Sequence, residues 1–278
     1  MDTSFFYPRK RLGQHFLIDA NAAEKIVQIA EVSPADVILE IGPGRGELTR
    51  ILARKSQKVV AIEIDPALAA GLREETGPLG NVVVVDGDAL KVDLEELFRF
   101  SGLKIKVVAN LPYQISTPLL LRFLTFRHLF SSLVLMVQEE VAMRIIAKPQ
   151  TKDYGSLSVF LQAYTNPSIE MRLPPNCFFP RPKVDSAVVR FTVLENPRIV
   201  IPDEPAFRRV VWASFGHRRK MLRNALQPLF RTPAKIEIER ILKALQIDPK
   251  RRGETLDLEE FSRLTLGVIP YLSECPDA

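Results

Sequence analysis

The sequence is poor in the residues that build metal centres and disulfide frameworks. Its two cysteines, Cys177 and Cys275, lie far apart and match no metal-ligand spacing. Its three histidines, His15, His128 and His217, form no cluster. Neither a structural metal nor a disulfide scaffold is expected. No run approaches the roughly 18 consecutive apolar residues of a membrane span. The opening MDTSFFYPRKR is too short and too mixed for a secretory leader. There is also no internal repeat and no low-complexity tract. A soluble, cytoplasmic protein without membrane contact is the expectation.

What is present points to one large core. Of 278 residues, 46% are apolar, enough for a sizeable domain with a smaller companion. The formal net charge is +5, but it is unevenly spread. Residues 198–252 carry 14 Lys and Arg against 5 Asp and Glu, whereas residues 1–197 carry 23 against 22. The basic excess therefore sits in one stretch. Either a polyanionic partner or a solvated helical face accounts for it.

From residue 37, short β-branched runs alternate with amphipathic segments. The expected strands are VILEI (37–41), KVVAIEI (58–64), NVVVV (81–85), KIKVVA (104–109) and LVLMV (133–137). Helical patterns fall at 46–55, 66–76, 93–100 and 117–128. Continuous Val and Ile runs joined by helices imply a parallel sheet buried on both faces. Two further strands, around 161–172 and at 186–194, read as a closing antiparallel pair. Beyond the proline-rich NPRIVIPDEP, helical patterns alone remain. The expected layout is an α/β domain over residues 1–200 and a small all-α domain over 201–278.

The first strand runs directly into Gly42-Pro-Gly44-Arg-Gly46. Glycines there permit a sharp strand-to-helix turn and let a ligand approach bare backbone. The dinucleotide fingerprint requires glycine at position 47, which is Glu47. The G-x-G-x-G spacing, with an acid two residues ahead, resembles the S-adenosylmethionine loop of Rossmann-like methyltransferases. A purely structural turn is the alternative. Glu63, at the end of the second strand, is suited to accept both ribose hydroxyls, while Asp65, before Pro66, reads as a helix cap. VVVVDGDAL offers Asp86 and Asp88 for an adenine amino group, with Asp88 the better placed because Asp86 abuts the strand.

The fourth strand ends in Asn110-Leu111-Pro112-Tyr113. All these elements meet at the carboxyl edge of one sheet, where such folds bind ligands. Asn and Pro are common turn formers, so a turn is one reading. The other is chemical. The Asn110 side-chain oxygen and the Leu111 carbonyl can accept hydrogen bonds from an adenine NH₂, whose lone pair is otherwise delocalised into the ring. Pro112 stiffens the turn, and Tyr113 can stack on the base.

Over nearly its whole length the chain resembles the KsgA/Erm ribosomal RNA adenine dimethyltransferases. The resemblance rests on GQHFL (13–17), EIGPGRGELT, VVAIEID, DGDAL, NLPYQIST and FFPRPKVDS (178–186), in the family's order. It implies a class I S-adenosylmethionine-dependent methyltransferase fold, with cofactor contacts at His15, Leu17, Gly42, Gly44, Glu63, Asp88 and Asn110. The family usually has Asn where His15 stands. It also implies that the target adenine lies between Tyr113 and Phe178, although Phe178 taken alone reads as core more often than as a platform. Arg181 and Lys183 on that loop are either phosphate contacts or solvated surface residues.

ASFGHRRKMLRNAL (213–226) and RRGETLDLEEFSRLTL (251–266) are similar to the helical domain of the small-subunit rRNA enzymes. On that resemblance, Arg218, Arg219, Lys220 and Arg223 are expected to lie along RNA backbone. The implied activity is N6,N6-dimethylation of two adjacent adenines near the 3′ end of 16S rRNA, on an immature small ribosomal subunit, by a monomer. The rival readings are an Erm-like enzyme of large-subunit rRNA, a DNA adenine methyltransferase, and a non-catalytic ribosome assembly factor.

Overall fold

The β-branched runs at the centre of the sheet form strands because they are covered on both faces, and the helices between them supply that cover. The computed structural model describes residues 9, 13–99, 102–217, 219–230 and 235–272. The elements begin with β1 (Phe16–Leu17), α1 (Ala20–Ile29), β2 (Val37–Ile41), α2 (Glu47–Lys55), β3 (Lys58–Glu63) and α3 (Pro66–Thr76). There follow β4 (Val82–Asp86), α4 (Leu94–Phe98), β5 (Ile105–Asn110), α5 (Ser116–Thr125), β6 (Phe130–Gln138), α6 (Glu139–Ile146) and α7 (Ser156–Tyr164). The remainder are β7 (Thr165–Leu173), β8 (Phe178–Phe179), β9 (Ser186–Val193), α8 (Glu204–Phe215), α9 (Leu222–Ala225), α10 (Lys235–Ala244) and α11 (Leu258–Val268).

Seven strands make one sheet in the order β4-β3-β2-β5-β6-β9-β7. The strands from β4 to β6 are parallel, and β9 runs antiparallel to β6. β2 is buried throughout, with Ile38 and Leu39 fully inaccessible. Each such side chain contributes about 1.5–3 kcal/mol relative to exposure. β4, at the sheet edge, is only partly covered. The order reverses at β2, since β3 lies on one side of it and β5 on the other. That reversal opens a crevice at the carboxyl ends of β2 and β5.

The chain divides into two compact units, one from Met1–Ala142 and Asn166–Val193, the other from Met143–Thr165 and Leu194–Ala278. The second unit thus includes a segment that the sequence pattern assigns to the α/β domain. The expected strand around 161–172 begins only at Thr165, because residues 156–164 form α7. The physical reason is aromatic packing: Phe160 meets Phe207 and Trp212 edge-on at 6.1 and 5.6 Å, and Tyr154 meets Phe215 at 5.9 Å. These ring pairs are long-range and leave no local signal. Among the described residues, the second unit holds helices and an isolated Phe230–Leu272 bridge but no longer strand. No helix there or elsewhere in the described residues is long and apolar enough to cross a membrane.

Candidate cofactor and base site

The crevice is a cleft that lies within the first unit. Its lining comes from GQHFL, the end of β2 with its glycine turn, the end of β3, the β4 loop and Asn110-Leu111-Pro112-Tyr113.

The glycine turn is left-handed at Gly42, Gly44 and Gly46, with φ of +64°, +58° and +81°. At Gly44 a side chain would also collide, since a Cβ would lie 2.8 Å from Phe16 Cδ1. Gly42 lies against the fourth-strand loop, its Cβ position 3.6 Å from Pro112. Bare backbone at these points is what leaves the cleft open.

Glu63 is 4% exposed at the end of β3. Its Oε2 accepts from Gly44 N–H at 3.1 Å and its Oε1 from Asp65 N–H at 2.9 Å. Burial nevertheless pushes its carboxyl above the usual range, against those two backbone donors. Asp65 caps α3 through Ala67 N–H and pairs with Arg9 at 3.0 Å, so it is occupied structurally. Asp86 turns outward to Arg73 at 2.7 Å and does not line the cleft. Asp88 does line it, its Oδ1 accepting from Leu90 N–H at 2.9 Å to shape the turn.

Asn110 ends β5, and its Nδ2 donates to the His15 carbonyl at 2.9 Å. A carbonyl can only accept, so this bond fixes which way the amide is turned. Among the described residues no donor is bonded to the Asn110 Oδ1, which is left as an acceptor. Leu111 is buried and donates its own N–H to the Met136 carbonyl at 3.1 Å. Tyr113 opens a short 3₁₀ turn. Its hydroxyl bonds Ser186 Oγ at 2.7 Å, and burial holds its phenol above the ordinary value.

His15 and Leu17 both line the cleft. Phe178 does not: it is 1% exposed within the core cluster, because β8 pairs with β1 and sets Phe178 opposite Leu17. The neighbouring Phe179 is 47% exposed, with the Arg45 guanidinium 5.9 Å from its ring centre and 4.9 Å from that of Phe16. The cleft brings together His15, Leu17, Gly42, Gly44, Glu63, Asp88, Asn110, Leu111 and Tyr113.

The sequence marks Glu40, the acid two residues ahead of the glycine turn, as part of that motif but assigns it no contact of its own in the site. It lines the cleft, is 1% exposed, and has its carboxyl pushed up to about 8, chiefly by burial. The nearby Thr49 hydroxyl opposes that rise in part, although neither Glu40 Oε2 nor Thr49 Oγ1 has a hydrogen-bond partner of good geometry. The available signal was an acid inside an otherwise apolar strand, VILEI. An acid with a raised folded pKa keeps its stabilising proton below the unfolded value near 4.5 and loses it as pH rises through about 8. Stability of the free protein should therefore fall between those values, by at most about 1.4 kcal/mol per pH unit. Glu40→Gln should flatten that slope in denaturant titrations at several pH values. Parallel profiles for the two proteins would remove the assignment.

In the second unit, Arg219 and Lys220 are exposed after α8. Arg223 is committed to Glu239 at 2.6 Å and half-buried. Arg218 and Cys275 lie outside the described residues. No group of three or more potential metal-ligating His, Cys, Asp or Glu occurs among the described residues.

Comparison with known proteins places this geometry. The profile described as "Ribosomal RNA adenine dimethylase" matches residues 6–263. A relative from Geobacillus kaustophilus, named ribosomal RNA small subunit methyltransferase A, is 48% identical over 275 residues, covering 96% of this chain and 92% of that protein. The crystal structure of a dimethyladenosine transferase from Plasmodium falciparum superposes with a TM-score of 0.78 at 26% identity, covering 91% of this chain and 97% of that one. That of the 23S rRNA methyltransferase ErmE gives 0.65 at 26% identity, covering 91% and 98%. The seven-stranded sheet, the glycine turn at its switch point and the Asn-Leu-Pro-Tyr loop beside it thus have a common origin: the chain belongs to the ribosomal RNA adenine dimethylase family.

Proposed function

We propose that this protein transfers methyl groups from S-adenosylmethionine to N6 of two adjacent adenines near the 3′ end of small-subunit rRNA, as a step of ribosome biogenesis. The observation that carries the reading is the Asn110 amide, whose donor half is tied to the His15 carbonyl while its oxygen is left as an acceptor. The 48% identity to a small-subunit methyltransferase supports the choice of RNA.

The cleft suits the cofactor's chemistry. Gly44 presents bare, left-handed backbone to the lining, and the buried Glu40 Oε2 has no hydrogen-bond partner in the same lining. Gly42, Gly44 and Leu17 would form its walls, Glu63 would accept from ribose hydroxyls, and Asp88 would read the adenine end. Bound there, S-adenosylmethionine supplies an electrophilic methyl on a charged sulfonium.

The chain's own work is positioning and electrostatics. Asn110 Oδ1 and the Leu111 carbonyl accept from the target NH₂, favouring a more tetrahedral nitrogen with an available lone pair. Pro112, with φ of −56°, holds the turn that aims them. Tyr113, pinned by Ser186, stacks under the base. Asn110 takes no proton, because a neutral amide is not a base; the methylated, cationic amine is acidic and releases its proton to solvent.

Arg219 and Lys220, with Arg218, are proposed to bind phosphates; Arg223 enters less readily because Glu239 holds it. Neutralising Arg219 and Lys220 should flatten the salt dependence of RNA binding, its slope falling by about one unit for each phosphate left without its cation. An unchanged slope would assign both side chains to solvent. The function itself is tested by transfer assays on unmodified small subunits, large-subunit RNA and duplex DNA. Methylation confined to the small subunit is expected, and preference for either other substrate would contradict the proposal.

A further inference from the structure

The two phenylalanines that open FFPRPKVDS lie in opposite surroundings. Phe178 is in the core, whereas Phe179 is 47% exposed. The pairing of β1 with β8 sets Phe179 directly opposite Phe16, a residue of the cleft lining. The Arg45 guanidinium packs over both rings, so the exposed one has a fixed support. The next residue, Pro180, has its carbonyl 2.6 Å from His15 Nδ1. The His15 ring in turn stacks on Tyr113, with centroids 5.3 Å apart and planes 29° from parallel. Through His15, the segment that carries Phe179 is therefore tied to the ring proposed to lie under the target base. Arg181 and Lys183 follow it in exposed positions.

We infer that Phe179 is a stacking platform for the adenine next to the one being methylated: while one adenine of the pair lies on Tyr113, its neighbour lies on Phe179. A lone exposed ring means little, because scattered apolar residues are common on protein surfaces. This ring has the company that single-stranded nucleic acid calls for, an aromatic face for a base with cations close by for the backbone. Drawing one adenine out of its stack leaves the face of the next one bare. An aromatic ring beside the site replaces the lost partner, and Phe179 is the exposed ring tied to Tyr113. The contact accepts any base that stacks well, so it favours a purine neighbour without reading its edges. The inference rests on the reading of Tyr113 as the target-base platform.

The test is a cycle that crosses protein and RNA. Small subunits carrying uracil in place of either adenine of the pair are methylated at the remaining one by wild type, Phe179→Ala, Phe179→Leu and Phe179→Trp. On unaltered subunits Phe179→Ala should raise KM about fivefold or more, the low end of what stacking a base on an aromatic ring carries. Its kcat should stay within about twofold, because the contact is present before and during transfer alike. Affinity for S-adenosylhomocysteine should also stay within about twofold. Phe179→Leu should remain impaired and Phe179→Trp should keep the wild-type KM. Uracil stacks more weakly than adenine, so one substituted subunit should raise the wild-type KM while adding little in Phe179→Ala, as coupled partners do. Wild-type KM in Phe179→Ala, full recovery by Phe179→Leu, or multiplying losses on both substituted subunits would overturn the inference. So would a tenfold weaker affinity for S-adenosylhomocysteine in Phe179→Ala, which would place the defect in the cleft through Phe16. Wild-type kcat/KM in Tyr113→Ala would remove the target-base reading, and this inference with it; a defective Tyr113→Ala beside a normal Phe179→Ala would remove this inference alone.

Discussion

Asn110→Ala is expected to lower the rate of methyl transfer by about a hundredfold or more, the usual loss when a preorganised polar group at a reacting centre is removed. Alanine takes away Oδ1, the acceptor aimed at the amino group, and it also strips the His15 carbonyl of its 2.9 Å donor. The second loss is worth about 1 kcal/mol and should weaken cofactor binding only modestly. RNA affinity should be nearly unchanged, since most of it comes from phosphates bound elsewhere. The informative comparison is single-turnover rate against binding of both ligands. Near-normal turnover by this variant would take Asn110 out of the chemistry and return it to a turn former.

The second large effect is expected at Gly44. With φ of +58° the backbone is left-handed, where an L-residue is strained by roughly 1–2 kcal/mol. The Cβ added by alanine would also meet Phe16 Cδ1 at 2.8 Å. Phe16 cannot easily move aside, because β1 is paired with β8 and its ring is packed under Arg45. The glycine turn must shift instead, and with it the Gly44 N–H that holds Glu63 Oε2. Gly44→Ala should therefore weaken S-adenosylhomocysteine binding by about tenfold or more, taking the strain and the displaced donor together. Gly80→Ala is the matching control. Gly80 has φ of +73° but open space around its Cβ and no place in the cleft. It should lose stability on the same scale while keeping ligand affinity. Equal affinity in the two variants would mean that the turn at Gly44 does not shape the site.

The contrast between these glycines and the rest of the site indicates what a sequence can reveal. The strands were legible to within a few residues because parallel strands buried on both faces read as unbroken Val and Ile runs. The glycine turn, Glu63, Asp88 and Asn110 were legible because each sits at the end of such a run, where the fold itself collects ligand-binding groups. Phe178 was not. Whether that ring faces the core or the cleft depends on the two-residue pairing of β1 with β8, across more than a hundred and fifty residues of chain. The same holds for the Arg223–Glu239 pair and for His15 on Tyr113, where the decisive partner is remote. Glu40 was legible as the acid ahead of the glycine turn, but not as a buried group of the cleft lining, because burial depends on what packs around the strand end. The docking of 143–165 into the second unit rests on aromatic packing that no local periodicity encodes.

Dimethylation of paired adenines in small-subunit rRNA is the activity proposed for this chain. Mass spectrometry of rRNA from cells lacking the gene tests it most directly. Loss of two adjacent N6,N6-dimethyladenines from the 3′ end of the small-subunit RNA, restored by the wild-type gene and not by the Asn110→Ala variant, is the expected result. An unchanged small-subunit RNA, with or without a change in the large subunit, would contradict the account.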